Sequence, residues 1–319
     1  MHYGGQDSPR KRPAMTLQSL THLLLTIMVC LSGIMGAPAA RAADVEIVAR
    51  NLGFIEGTIF VGDTLYFVDY STSKVLRLVD GKVETVWHQD GCGANGLVQV
   101  PAGLLVACFD GGTVEQISLA GNSVRTISHD GAGNPLVAPN DLATDAKGGV
   151  YFSASGTEGR VPGKVFYPSA GGSVREVASE MHFSNGLVVS LDGKRLYVAE
   201  SRARRLLTFA ITADGTLSDR QEFVKLGDVL AEGARRLYSP DGVRMDRHGN
   251  IFIGLYEGGG LAVLSPDGKL VAQVDLPAAH HANLAIAPDG KSIYVTAVDD
   301  GPGGSYRGEI CRVPNPVAE

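Results

Sequence analysis

The sequence predicts an all-β fold, a six-bladed β-propeller with an N-terminal strand closing the last blade. Three observations predict it. A unit made of a polar residue, a short strand, a turn and a stronger strand recurs six times, and its opening polar residues lie 39, 45, 45, 56 and 42 positions apart. Repeats of that length with short strands mark propeller blades. Long amphipathic helical stretches are absent, and 41 Gly with 15 Pro suit a chain that turns every ~8–12 residues.

Residues 1–42 precede the fold. Arg10, Lys11 and Arg12 are followed by an apolar run from Leu23 to Met35 and a small-residue stretch from Gly36 to Ala43. That order reads as a secretory signal, with Ala40-x-Ala42 as the cleavage site and Ala43 as the expected mature N-terminus. Met15 is an alternative start. A membrane anchor is the competing reading, but a span needs about 20 apolar residues and this run is shorter. The expected domain is residues 43–319, periplasmic or secreted, and free of the membrane after cleavage. Cleavage takes Lys plus Arg from 28 to 24 and Asp plus Glu from 34 to 33, leaving a net charge of −9. An acidic surface without a basic run repels phosphate backbones, so nucleic acid is not an expected partner. Oligomeric state is not legible.

The blades follow in order. They read Glu56-Gly-Thr-Ile-Phe with Leu65-Tyr-Phe-Val-Asp, Asn95-Gly-Leu-Val with Leu104-Leu-Val-Ala-Cys, and Asn140-Asp-Leu-Ala with Val150-Tyr-Phe-Ser. Then come Asn185-Gly-Leu-Val with Leu196-Tyr-Val-Ala, Asp241-Gly-Val-Arg with Ile251-Phe-Ile-Gly, and Asn283-Leu-Ala-Ile with Ile293-Tyr-Val-Thr. β-branched and aromatic runs between turn dipeptides are strand signals. Asp192-Gly193, Asp267-Gly268 and Asp289-Gly290 each sit between two runs and predict hairpins. Blade six runs out of chain before a fourth strand, and Val45–Ala49 has the alternation to supply it and cover the edge. Cys92, Cys108 and Cys311 follow the signal region. Cys92 and Cys108 are able to bridge, but the expectation is three small buried hydrophobes.

The first strand of each blade lines the central channel, so residues at one phase of the repeat converge. Here these are Glu56, Asn95, Asn140, Asn185, Asp241 and Asn283. Converging polar side chains need water, one another or a cation. Two carboxylates among amide carbonyls form a hard oxygen cage for one divalent cation, Ca²⁺ first, with Mg²⁺ and Mn²⁺ as alternatives and Zn²⁺ a poorer match to the donors. Taken singly, Asn95-Gly96, Asn185-Gly186 and Asp241-Gly242 also read as turn pairs.

At these residues the sequence resembles the senescence-marker-protein, gluconolactonase and lactonase-like (regucalcin-type) family of six-bladed propellers. Glu56-Gly57, Pro139-Asn140-Asp141, Ser184-Asn185-Gly186-Leu187, Ser239-Pro240-Asp241-Gly242 and Ala282-Asn283-Leu284-Ala285 match in order. The resemblance implies a catalytic metal site at the channel mouth, on Glu56, Asn140, Asn185 and Asp241, with Asp241 acting directly in catalysis. Asn95 and Asn283 are then expected at the substrate, as is Glu158 on the loop after the blade-three amide. Sugar-lactone members carry Arg where this chain has Ala138, and the Glu-Gly-Pro and Trp of their first blade are Glu56-Gly57-Thr58 and Phe60 here. Gluconolactone is therefore a weakened candidate.

The expected activity is metal-dependent hydrolysis of a lactone or related carboxylic ester, with a small-molecule substrate and Asp241 as general base. His281 is the rival base, with His280 and His182 near it in phase. No Gly-x-Ser-x-Gly elbow appears, and the runs at Gly111, Gly258 and Gly301 open no helix. A non-catalytic binding module with a structural ion is the alternative. Its contact surface would be the loops Ser153–Gly163 and Gly227–Ser239, with Arg160, Arg235 and Tyr238 on the rim. A strictosidine-synthase-like enzyme, suggested by Phe183–Leu187 and Leu196–Glu200, accounts less well for two acids at one phase.

Overall fold

The second strand of each blade is apolar on both faces. Thr64–Asp69 reads Leu-Tyr-Phe-Val, and Gly103–Cys108, Val150–Ala154 and Ile251–Leu255 are buried throughout. A strand that loses water on both sides must lie between two covering layers, and the covering layers here are the neighbouring blades. The outermost strands Lys82–His88 and Ser123–Ile127 are charged, polar and largely exposed. A computed structural model describes residues 45–145, 147–168, 173–230 and 237–318. The expected signal and its cleavage site lie outside these residues, as does Arg235. Among the described residues no helix is long and apolar enough to cross a membrane.

Six four-stranded antiparallel sheets result. Their first strands are Ile55–Val61, Ala94–Val100, Pro139–Thr144, Ser184–Val189, Pro240–Met245 and Leu284–Ile286. In five blades all four strands are consecutive. The sixth is built from both ends of the domain: Leu284–Ile286, Ser292–Asp300 and Tyr306–Pro314 continue into Glu46–Leu52 on the outside. Glu46 sits opposite Arg312 and Ile47 opposite Cys311, and the Glu46 and Arg312 side chains pair at 2.7 Å. The N-terminal strand thus closes the ring, two residues longer than its alternation predicted.

Each blade-to-blade seam holds its own apolar cluster. At the closing seam Ile55 and Phe67 of blade one pack on Ala49, Val298 and Ile310 of blade six. Full burial of side chains of this size is worth about 1.5–3 kcal/mol each, so closure rests on packing as well as on the strand ladder. Tyr238 belongs to the seam between blades four and five, not to the rim, because its ring is buried beside Leu226, Leu230 and Leu255. The three Asp-Gly turns form as read, with φ of 68° at Gly193, 81° at Gly268 and 72° at Gly290.

Cys92 and Cys108 form a disulfide, correcting the expectation of three free thiols. Ala94 pairs with Cys108 across the first hairpin of blade two, which brings the chain just before that strand onto the chain just after it. Their Cα atoms lie 4.5 Å apart. Cys311 is free and buried. The bridge closes a loop of sequence separation 16, which the chain-entropy argument values at about 3 kcal/mol. Cys92→Ala with Cys108→Ala is expected to lower the unfolding free energy by about 3 kcal/mol, read from the shift in denaturant midpoint. An unchanged midpoint would show that the bridge constrains nothing.

Candidate active site

The ladder between the first and second strands slips at the polar residue in five blades. The shifts fall between Glu56 and Ile59, Ala94 and Gly96, Pro139 and Leu142, Ser184 and Leu187, and Pro240 and Val243. A bulge leaves one residue outside the ladder and re-aims its side chain. The result is that Glu56, Asn95, Asn140, Asn185 and Asp241 line one cavity of about 330 Å³. Two positions upstream, Gly93, Ala138 and Phe183 adopt left-handed φ of 58°, 54° and 67°. That conformation costs a non-glycine residue about 1–2 kcal/mol, and strain of this kind collects at functional sites.

The Asn-Gly pairs are strand residues and not turns. A Cβ on Gly96 would stand 2.2 Å from the Asn140 carbonyl oxygen, and one on Gly186 would stand 2.2 Å from that of Asp241. Glycine at this phase lets each blade bring its backbone against the next.

Asn283 departs from the other five. Its strand pairs without a slip, and it is held to Thr296 by its own N–H and by its carbonyl, which accepts from the Thr296 N–H, both at 2.9 Å. Its side-chain oxygen accepts from Arg244 Nη2 and Leu284 N–H at 2.9 Å and from Thr58 N–H at 3.3 Å. It does not line the cavity, so a direct substrate contact is corrected to a supporting place, from which its side chain favours the ionised form of Glu56. Arg244 lies under the same floor. Its guanidinium donates to Asp141 at 3.0 Å, to the Val243 carbonyl at 2.9 Å and to the Thr58 carbonyl at 3.4 Å.

Two further expectations change. Glu158 is exposed and pairs with Arg202 at 3.6 Å in an adjoining pocket with Thr157, Arg160 and His182. It does not enter the main cavity, although Phe183 and Arg202 line both spaces. His281 is fully buried and lines neither; its Nε2 bonds the Pro277 carbonyl at 2.7 Å and burial pushes its pKa down to about 4. It cannot reach a substrate in the cavity, so its role as rival base is withdrawn. His280 lies at the rim, stacked on Tyr256 with ring centroids 4.4 Å apart.

The electrostatics of the floor are unbalanced. Burial, then the Asp241 and Asp141 carboxylates, push the Glu56 pKa well above its usual range. Burial and Asp141 raise Asp241 likewise, against the Asn185 hydrogen bond and Arg244. Asn185 donates to Ser201 Oγ at 3.1 Å, but its side-chain oxygen is buried with no hydrogen-bond partner. An orphaned amide oxygen costs free energy, and beside two crowded carboxylates it suits a hard cation. Arg244 offsets one of the three buried acids Glu56, Asp141 and Asp241. Ionised, the other two carboxyls would match the charge of one divalent ion.

The repeat phase did not reveal Asp141, Arg244, Ser201 or the aromatic rings at the mouth. Arg244 had a signal: it stands where the other blades carry Ile59, Val98, Ala143, Val188 and Ile286.

Residues 54–299 match the SMP-30/Gluconolactonase/LRE-like region. The chain belongs to this family. Regucalcin of Xenopus laevis is 29% identical over 254 residues, covering 75% of this chain and 80% of that protein. A pentonolactonase of Haloferax volcanii is 30% identical over 175 residues, 53% of this chain, and the chain spans 57% of the length of this curated relative. Among solved SMP-30/gluconolactonase-like folds, a gluconolactonase from Xanthomonas campestris superposes with a TM-score of 0.69 at 22% identity, covering 85% of this chain and 91% of that one. The calcium-binding regucalcin of Agrobacterium tumefaciens gives 0.65 at 17%, covering 84% and 94%. At these identities the two superpositions speak to the fold.

Proposed function

We propose that this chain hydrolyses a lactone or related carboxylic ester in the channel cavity, using one divalent cation held by Glu56, Asn140, Asn185 and Asp241. The observation that carries the reading is the meeting of these four side chains in one cavity with the Asn185 oxygen left unpartnered. Relatives called pentonolactonase and lactonase support the reaction class, and a fold neighbour described as calcium-binding supports Ca²⁺. When bound, such an ion polarises a carbonyl oxygen and lowers the pKa of water. Asn95, beside the cage and outside the cation set, orients the substrate's carbonyl by hydrogen bonding. Asp241 takes a proton from the attacking water. The water oxygen bonds to the carbonyl carbon, the ring C–O bond breaks, and the alkoxide receives the proton, giving a hydroxy acid.

Metal analysis followed by a lactone and aryl-ester panel, with and without chelator, tests the reading. Chelator-sensitive hydrolysis is expected. Bound ion with no hydrolysis across the panel would leave a binding module. We also infer export to an oxidising compartment, supported by the basic–apolar–small order of residues 10–43 and by the Cys92–Cys108 disulfide. N-terminal sequencing of the exported protein is expected to begin at Ala43.

The raised carboxyl pKa values predict how the cation-free protein responds to pH. Glu56 and Asp241 hold protons more tightly folded than unfolded, so their stability contribution is complete below their ordinary values, 4.5 and 3.8. It is lost as pH rises through the raised values. With chelator, the melting temperature is expected to fall across that window, and with saturating Ca²⁺ the fall should vanish. Identical profiles in the two conditions would mean that no ion sits on these carboxyls.

A further inference from the structure

The polarity of the cavity is layered. Its floor is made of Glu56, Asn95, Asn140, Asn185, Ser201 and Asp241, whereas its mouth carries six aromatic rings, Phe54, Tyr70, Phe109, Phe183, Tyr256 and Tyr306, together with Arg202, Ser239 and Glu257. The rings form a connected collar. Phe54 touches Tyr306 at 4.9 Å, Tyr70 at 5.8 Å and Tyr256 at 6.2 Å between centroids, Tyr70 meets Phe109 at 6.2 Å, and Phe109 meets Phe183 at 6.3 Å. Five of the six are only half-buried, so they keep surface free toward the cavity instead of closing into a core. The Tyr70 hydroxyl donates to Asp110 at 3.0 Å. Its polar end is thereby engaged, leaving the ring as its contribution to the collar.

A ligand whose carbonyl reaches the floor must place the rest of its body against this collar. A hydroxyl group facing one of these rings would lose water and meet carbon, which is unfavourable without a hydrogen-bond partner. A planar apolar group would instead stack or meet ring edges, gaining area burial and oriented ring contacts. The one cationic side chain at the mouth, Arg202, lies over the Phe183 ring at 5.8 Å and pairs with Glu158.

We infer that the cavity selects a lactone or ester carrying a planar apolar ring, with the aromatic collar reading that ring and the amide and carboxylate floor reading the carbonyl. This rests on the hydrolase reading for turnover, but ring selection in binding does not depend on it. Non-hydrolysable lactams separate the two. In calorimetric titrations of the calcium-loaded protein, 3,4-dihydro-2-quinolinone is expected to bind at least about tenfold more tightly than polyhydroxylated gluconolactam. In turnover, kcat/KM for 3,4-dihydrocoumarin is expected to exceed that for glucono-1,5-lactone by a similar factor. Phe109→Ala should lower the dihydrocoumarin to δ-valerolactone ratio of kcat/KM at least about fivefold. Phe109→Leu, which keeps bulk without a π-face, should lower it less and guards against a folding defect. Equal or tighter binding of the polyhydroxylated lactam overturns the inference, and so does a ratio unmoved by Phe109→Ala. Collar-dependent lactam binding with no lactone hydrolysed would support ring selection and overturn the hydrolase reading alone.

Discussion

Replacing Asp241 by Asn is expected to lower kcat/KM on the best lactone about 10²–10⁴-fold, and saturating calcium should not restore it. The change keeps the shape and volume of the side chain in a buried, bulged strand position. It removes the negative charge and the proton acceptor together. If Asp241 were only a cation ligand, its loss would appear as weakened affinity and excess metal would rescue the rate. Glu56→Gln provides that comparison. Glu56 lines the same cavity from blade one, is raised by burial and by Asp141 as Asp241 is, and is assigned no proton. Its amide variant should bind calcium more weakly in a calorimetric titration yet recover most of its rate at high metal. Rescue of both variants would move the base elsewhere. Full activity of Asp241→Asn without added metal would end the mechanism.

The ring of blades was legible because its signals are local: apolar runs, Asp-Gly turns and one repeat period. The meeting of these side chains in one cavity was legible for the same reason, since Glu56, Asn95, Asn140, Asn185 and Asp241 share a phase and a bulge. Asn283 shares the phase but lacks the bulge, and a bulge depends on how two strands pair, which a single residue does not announce. His281 looked available because it is polar and near the phase; only the neighbouring seam shows that it is buried. The aromatic collar left a trace that phase reading at the first strand could not use. Tyr70, Phe109 and Tyr256 follow the second strand, 14, 14 and 15 residues after Glu56, Asn95 and Asp241. Cys92 and Cys108 escaped because their closeness comes from the register of a hairpin, not from sequence spacing.

Arg244→Met is expected to destabilise the fold by about 3–5 kcal/mol, a fall in melting temperature of about 10 °C for a domain of this size. Arg244 ties four blades together. From blade five its guanidinium reaches Asp141 of blade three, Asn283 beside blade six and Thr58 of blade one. Methionine fills a similar volume, so the loss is of charge and hydrogen bonds rather than of packing. What remains is Asp141, almost fully buried and facing two further carboxyls. An unpaired buried charge costs more than the pair it came from ever contributed. Adding Asp141→Asn should therefore recover much of the loss, and the double variant should be more stable than Arg244→Met alone. Arg244→Lys should fall between, because an ammonium restores the charge but not the forked geometry that serves several acceptors at once. Calcium should narrow the gap between wild type and Arg244→Met, since a bound ion supplies positive charge to the same floor. Equal melting temperatures for wild type and Arg244→Met in chelator would mean that the three acids do not repel, and the charge argument for a divalent ion would fall with them.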